Sequence, residues 1–149
     1  MQRAATISDF FIASLHGCGD PLSNLKLQKL LYYAQAWHLA IFDTPLFDEK
    51  IEAWVHGPVV VSEYRRFKGW AWQPIMDNPT IPTLDESTEA HLQEVLDAYG
   101  SKNAYELEQL THSEAPWKDA RKGIPEDEPS NEVISHDEMK KFYHERMNG

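Results

Sequence analysis

Cysteine, long apolar runs and positive charge are all scarce in this 149-residue sequence. Its single cysteine, Cys18, can form no internal disulfide and cannot build a cysteine-rich zinc site. No apolar stretch continues without polar interruption for the roughly 20 residues that a membrane span needs. The first residues, M-Q-R-A-A-T-I-S-D, lack the apolar core of a secretory leader. These absences predict a cytoplasmic protein without membrane contacts.

The balance of charge is strongly acidic, with 14 Lys and Arg residues against 24 Asp and Glu residues and a formal net charge of −10. Proteins that bind duplex nucleic acid usually present a basic patch, so we expect no direct nucleic-acid binding here. The excess negative charge lies after Phe42 and has two interpretations. It is either a solvated face that aids solubility or a surface complementary to a basic partner. On the second interpretation the candidate contacts are Glu94, Asp97 and Glu108.

Catalytic motifs are missing as well. None of the seven histidines belongs to an H-E-x-x-H pattern, and no phosphate-binding, dinucleotide-binding or nucleophile-elbow motif is present. On a strand, Glu52 and His56 would share one face and could act as an acid–base pair, although residues in this arrangement more often form a polar cross-strand face. We therefore predict no enzymatic activity, no catalytic residue, no metal and no cofactor.

Residues 22–42 are the most informative segment of the chain: L-S-N-L-K-L-Q-K-L-L-Y-Y-A-Q-A-W-H-L-A-I-F. On a helix of 3.6 residues per turn, apolar residues cover most of the circumference. Such a helix is buried on nearly every face, so it must lie at the centre of the fold. The sequence predicts a compact, mainly α single domain over residues 1–149, with a small β element and a buried central helix at about Asn24–Phe42.

One polar stripe interrupts this apolar surface. The stripe consists of Gln28, Tyr32 and Gln35, together with Lys29 at its flank. It can either form hydrogen bonds inside the protein or contact a partner. Trp70 and Trp72, which lie in a proline-rich loop, are the other candidate contacts, because exposed aromatic residues often anchor protein–protein interfaces.

The rest of the chain carries weaker signals. Residues 46–55 are expected to form one short strand or a tight pair of strands. Gly57 and Pro58 fit a turn from strand to helix, with Pro58 in the first helical turn. Residues 69–84 predict a loop with a short strand near Ile81. Residues 123–134 contain two prolines and several carboxylates, which predicts an exposed acidic connector before the last helix.

Several short patterns predict where helices begin. They are Thr6 with Asp9, Ser23 or Asn24, Asn103 with Glu106, Ser113, and Ser135 with Glu138. A further helix is expected from about Ser87 to Gly100.

Three blocks of the sequence, in order, resemble the Panacea (SocA-like) antitoxin domain family. They are S-N-L-K-L-Q-K-L-L-Y-Y-A-Q-A-W-H with P-L-F-D-E, then I-E-A-W-V-H-G-P-V-V, and L-T-H-S-E-A-P-W-K-D-A-R at residues 110–121. The resemblance implies an antitoxin that binds and neutralises a co-encoded toxin, often from a neighbouring gene on a prophage or mobile element. At least one family member delivers its toxin to a protease, so a proteolysis adaptor is the first alternative. A transcriptional regulator is less favoured, because of the acidic charge.

The same resemblance marks a set of residues as structural parts of the family motif. They are Leu27, Leu30, Tyr33, Trp37, Trp54, Gly57, Pro58 and Trp117. No residue is implied to bind a cofactor or a metal.

Overall fold

The computed structural model describes residues 1–148 and the side chains of residues 1–147, and this part of the chain contains seven helices and one two-stranded hairpin. In chain order the elements are α1 (Ala4–Gly17), α2 (Asn24–Phe42), β1 (Ile51–Trp54), β2 (Gly57–Val60), α3 (Val61–Arg66), a 3-10 turn (Lys68–Trp70), α4 (Glu86–Tyr99), α5 (Ala104–His112), α6 (Ala115–Ala120) and α7 (His136–Asn148). This architecture confirms the predicted mainly α fold with a small β element.

Helix α2 is the centre of the fold, as its apolar circumference predicts. It begins where Ser23 Oγ accepts a hydrogen bond from the Lys26 N–H (3.2 Å), and it ends at Asp43, which adopts a left-handed conformation with φ 61°. Helices α1, α3, α4, α5 and α7 and strand β2 all pack against it. The helix is therefore enclosed on nearly every side, and the predicted boundaries Asn24–Phe42 are confirmed.

The predicted core residues of α2 differ in depth. Leu27, Leu30 and Tyr33 have no exposed surface, whereas Trp37 is half-buried at the edge of the core. The difference matters for function, because the exposed part of Trp37 faces a surface groove between α2 and α4.

Helix α4 runs antiparallel to α2. In the first half of α4, His91 Nε2 lies 2.9 Å from the carbonyl oxygen of Ala34. At the other end, Lys26 Nζ donates to the carbonyl oxygen of Gly100 (2.6 Å). These two hydrogen bonds attach the first half and the C-terminal end of α4 to α2 and leave its outer face exposed.

The hairpin corrects the prediction for Gly57 and Pro58. Both residues lie in β2, and the chain turns at residues 55–56, so they do not form a turn from strand to helix. Pro58 pairs with Ala53, whose N–H points away from β2 and donates to the carbonyl oxygen of Glu132 (2.8 Å). The missing N–H of Pro58 faces away from β1 in the same way, so the proline costs the ladder no hydrogen bond.

The connector prediction is correct only in part. Residues 125–129 are exposed, but Ile134 is buried and its N–H donates to the carbonyl oxygen of Ile51 (2.8 Å). Glu52 and Val133 form an isolated antiparallel bridge. Residues 132–134 therefore extend the hairpin along the free edge of β1, whose backbone groups need partners.

Among the predicted helix starts, Asn103 with Glu106 forms both halves of a capping box, and Ser135 accepts a hydrogen bond from the Glu138 N–H. Two others are wrong. Helix α1 begins before Thr6, at Ala4, whose N–H donates to Glu49 Oε2 (2.8 Å). Ser113 ends α5 instead of capping α6. No strand forms near Ile81 in the described chain, where residues 77–85 are irregular.

Candidate partner-binding surface

The polar stripe of α2 lies inside the protein. Gln28, Lys29, Tyr32 and Gln35 are all at most 1% exposed, so a partner cannot reach them on this surface. Gln35 Oε1 accepts hydrogen bonds from the N–H groups of Leu46 (2.7 Å) and Phe47 (3.3 Å), and its Nε2 donates to the carbonyl oxygen of Phe47 (2.7 Å). The stripe therefore follows the internal interpretation, and the partner-contact interpretation is not supported for these four residues.

Gln28 has the same kind of role at the hairpin. Its Oε1 accepts a hydrogen bond from the Val60 N–H (3.0 Å), and its Nε2 donates to Asn24 Oδ1 (2.9 Å). A side chain of α2 thus completes the backbone hydrogen bonding of β2.

Tyr32 belongs to a buried network that the sequence did not reveal. The Tyr33 hydroxyl (2.7 Å) and the Tyr143 hydroxyl (3.0 Å) both donate to Glu114 Oε1, and Tyr32 lies 2.9 Å from Tyr143. Burial raises the pKa of Glu114 and also the pKa values of the three tyrosines. Glu114 is therefore a core residue that joins α2 to α7, and it does not belong to the acidic surface.

Among the four residues of the stripe, Lys29 is the one whose buried polar atom lacks a hydrogen-bond partner among the described residues. Its side chain has no exposed surface, and its Nζ has no hydrogen-bond partner in the described chain. A Cβ atom at Gly57 would lie 3.1 Å from Lys29 Cε, so glycine leaves the space that this lysine occupies. Burial lowers the pKa of Lys29 to about 8, opposed in part by the carboxylate of Glu108.

The two remaining tryptophans of the family motif support the hairpin. Trp117 is buried and its Nε1 donates to the carbonyl oxygen of Trp54 (2.8 Å), while Trp54 is half-buried and its Nε1 donates to Glu52 Oε1 (2.9 Å). His56 Nδ1 lies 3.1 Å from Glu108 Oε1. Glu52 and His56 thus have separate partners, because His56 lies in the turn and not on the strand, and the structure does not support them as an acid–base pair.

The predicted surface contacts are in different environments. Trp72 is 81% exposed, whereas Trp70 is half-buried and packs against the core. The side chain of Glu108 is only 19% exposed. Glu94 and Asp97 are exposed on α4. Of the predicted set, Trp72, Glu94 and Asp97 are thus the most accessible to a partner, and their role in binding stays a prediction.

The outer face of α4 carries several acidic residues and no basic ones. Its exposed carboxylates are Glu86, Glu89, Glu94 and Asp97. Residues 69–101 contain six Asp and Glu residues and no Lys or Arg, so no basic residue of this segment neutralises them.

A surface groove lies between α2 and α4, and we call it the α2–α4 groove. Trp37 and Ile41 line it from α2, and His91, Glu94, Val95 and Tyr99 line it from α4. Its volume is about 260 Å³. Most of its lining is apolar, and Glu94 is the one acidic residue among these six. The α2–α4 groove is therefore an apolar cleft beside an acidic helix.

Comparison with known proteins identifies the class to which this fold belongs. A family model described as "Antitoxin SocA-like, Panacea domain" matches residues 27–118, which contain the hairpin and almost all of the central helix. The chain therefore belongs to this family, as the three sequence blocks predict.

Among individual proteins, the chain is similar to "Antitoxin SocA" of Caulobacter vibrioides (strain NA1000 / CB15N). The two are 32% identical in an alignment of 127 residues, which covers 76% of this chain and 68% of the relative. No solved structure gives a significant match. Among residues 1–148, no helix is both long enough and apolar enough to cross a membrane.

Proposed function

We propose that this protein is an antitoxin that neutralises a toxin by direct protein–protein binding in the cytoplasm. The observation that carries the proposal is the family match over residues 27–118, together with the relative that is itself named an antitoxin. The toxin is expected from a neighbouring gene, as is usual for the family that the sequence resembles.

The internal bonding of the motif residues supports this proposal. Gln28, Tyr32, Gln35 and Glu114 use their polar atoms inside the protein, so the family motif builds the scaffold. Partner recognition is then left to exposed groups, such as Trp72 and the carboxylates of α4. A scaffold with a variable surface is what an antitoxin needs in order to match a particular toxin.

Neutralisation should be stoichiometric. Co-expression of this chain with the toxic product of the neighbouring gene should restore growth, and the two proteins should purify together as a 1:1 or 2:2 complex. In a purified assay, inhibition of the toxin should be complete near one equivalent of this chain. Complete inhibition well below one equivalent would contradict binding as the mechanism and would indicate an enzyme.

The alternative, an adaptor that delivers the toxin to a protease, predicts a different result for toxin turnover. A direct inhibitor should restore growth and leave the half-life of the toxin unchanged or longer. An adaptor should shorten that half-life and should fail to restore growth when the protease is absent. We expect direct inhibition, because masking a toxin needs one interface and delivery needs two. A pulse-chase measurement of toxin half-life with and without this chain distinguishes the two.

A further inference from the structure

We propose that the α2–α4 groove is the docking site for a basic segment of the toxin, which inserts one apolar side chain between the helices and places Lys or Arg against Glu94. This inference deepens the proposed function and rests on it.

The size and lining of the groove favour a side chain over a small molecule. Small-molecule pockets usually have volumes of about 300–1,000 Å³. The α2–α4 groove, with about 260 Å³, is below that range, and the apolar residues Trp37, Ile41 and Val95 are among those that line it. Pockets that accept a single anchoring side chain are typical of the energetic centre of a protein–protein interface.

The end of α2 adds exposed apolar surface beside the groove. Ile41 is 42% exposed and Phe42 is 43% exposed. The Phe42 ring lies 5.7 Å from the ring of His91, which itself lines the groove. Two adjacent large apolar side chains thus continue the apolar lining out to the surface, as expected of a site that a partner covers.

The charge around the groove identifies the chemistry of the partner. Glu94 lines the groove. Each residue turns an α-helix by about 100°, so the side chain of Asp97 lies about 60° from that of Glu94 around the axis of α4. Two lysines that pack near α2 already have partners: Lys26 donates to the carbonyl oxygen of Gly100, and Lys140 pairs with Asp43 at the end of α2. Asp97 accepts a hydrogen bond from Gln93 Nε2 (3.3 Å), and in the described chain neither Asp97 nor Glu94 forms an ion pair, so both can attract a segment that carries Lys or Arg.

Two pairs of variants on α4 test this site against the purified toxin. In each pair the control position lies five residues before the test position, about 140° away around the helix. Ala98 also lines the groove, so Ala98→Trp should fill it, and Gln93→Trp places the same side chain on the outer face. Glu94→Lys reverses the charge at the groove, and Glu89→Lys makes the same change of net charge elsewhere. Ala98, Gln93, Glu94 and Glu89 are all exposed, so the four variants should fold.

Ala98→Trp should raise the Kd for the toxin by about tenfold or more, since losing 1.4 kcal/mol of binding free energy has that effect. Glu94→Lys should slow association several-fold and make the association rate less sensitive to salt. Both controls should bind within about twofold of the parent chain, a difference well below 1 kcal/mol. If Ala98→Trp loses thermal stability, the comparison of Glu94→Lys with Glu89→Lys decides alone.

Three results would overturn the proposal. If Ala98→Trp and Glu94→Lys bind the toxin as tightly as their controls do, and the parent chain still restores growth, the toxin binds elsewhere. If the parent chain is a dimer, and Ala98→Trp separates it into monomers without any loss of toxin binding, a second copy of the chain occupies the groove. If the parent chain neither binds the toxin nor restores growth, the proposed function itself is wrong.

Discussion

Gln35→Met should lower the free energy of unfolding by about 3–5 kcal/mol, because it leaves buried backbone groups without partners at about 1–3 kcal/mol each. The side chain of Gln35 accepts from the N–H groups of Leu46 and Phe47 and donates to the carbonyl oxygen of Phe47. Methionine has nearly the same shape but offers none of these bonds. Since a domain of this kind has about 5–15 kcal/mol of stability in total, the variant should denature at a much lower urea concentration.

Two further glutamine variants calibrate this effect. Gln28→Met removes the acceptor for one backbone N–H, that of Val60, and should cost less than Gln35→Met. Gln93→Met changes an exposed side chain and should stay within about 0.5 kcal/mol of the parent. Growth rescue by Gln35→Met should fail only at temperatures at which it unfolds. Equal urea midpoints for the three variants would show that these hydrogen bonds contribute nothing to stability.

Lys29→Met should have the opposite effect and stabilise the protein by about 3 kcal/mol near pH 7. The pKa of Lys29 is lowered to about 8, from an ordinary value of about 10.4, and each pKa unit corresponds to about 1.4 kcal/mol. Below pH 8 the lysine is charged in both the folded and the unfolded protein, and only the folded protein bears the cost of a buried charge without a hydrogen-bond partner. For a chain of this size the melting temperature should rise by about 5–10 °C.

The pH dependence provides a second measurement. As pH rises through 8, the folded protein releases the proton of Lys29 before the unfolded chain does, so the parent gains stability and the variant does not. The advantage of Lys29→Met should therefore shrink between about pH 7 and about pH 9.5, a window that ends below the ordinary tyrosine pKa of about 10. Lys118→Met, at an exposed position on α6, is the matched control and should change little at any pH.

A stability advantage that stays constant with pH, or a loss of stability at pH 7, would contradict the burial of a charged Lys29. Growth rescue should be retained in Lys29→Met, because its side chain does not reach the surface. A more stable variant that no longer rescues growth would show that Lys29 acts on the partner, as one interpretation of the polar stripe proposes.

The sequence alone determined those features that depend on neighbouring residues. The predicted boundaries of α2 are correct, its cap is Ser23, one of the two residues that the sequence offered, and the capping box at Asn103 and Glu106 is correct in both halves. These signals can be predicted because the interacting groups are three or four residues apart. The family could be recognised for a related reason, since its motif is carried by three uninterrupted blocks of sequence.

Only the tertiary structure decided where the polar groups of those blocks lie. Gln35, Gln28 and Tyr32 appeared as a stripe that could face a partner, but their partners are Phe47, Val60 and Tyr143, which are 12, 32 and 111 residues away. Periodicity shows that residues share a face of a helix, and it does not show which element covers that face.

The same limit explains the errors at Pro58 and at residues 132–134. Each depends on a strand edge or a helix from a distant part of the chain. The α2–α4 groove is a further case, since it exists only because α4 packs antiparallel to α2 and leaves Trp37 and Ile41 partly uncovered. A buried polar atom must find a partner, but the identity of that partner is set only when the helices pack together.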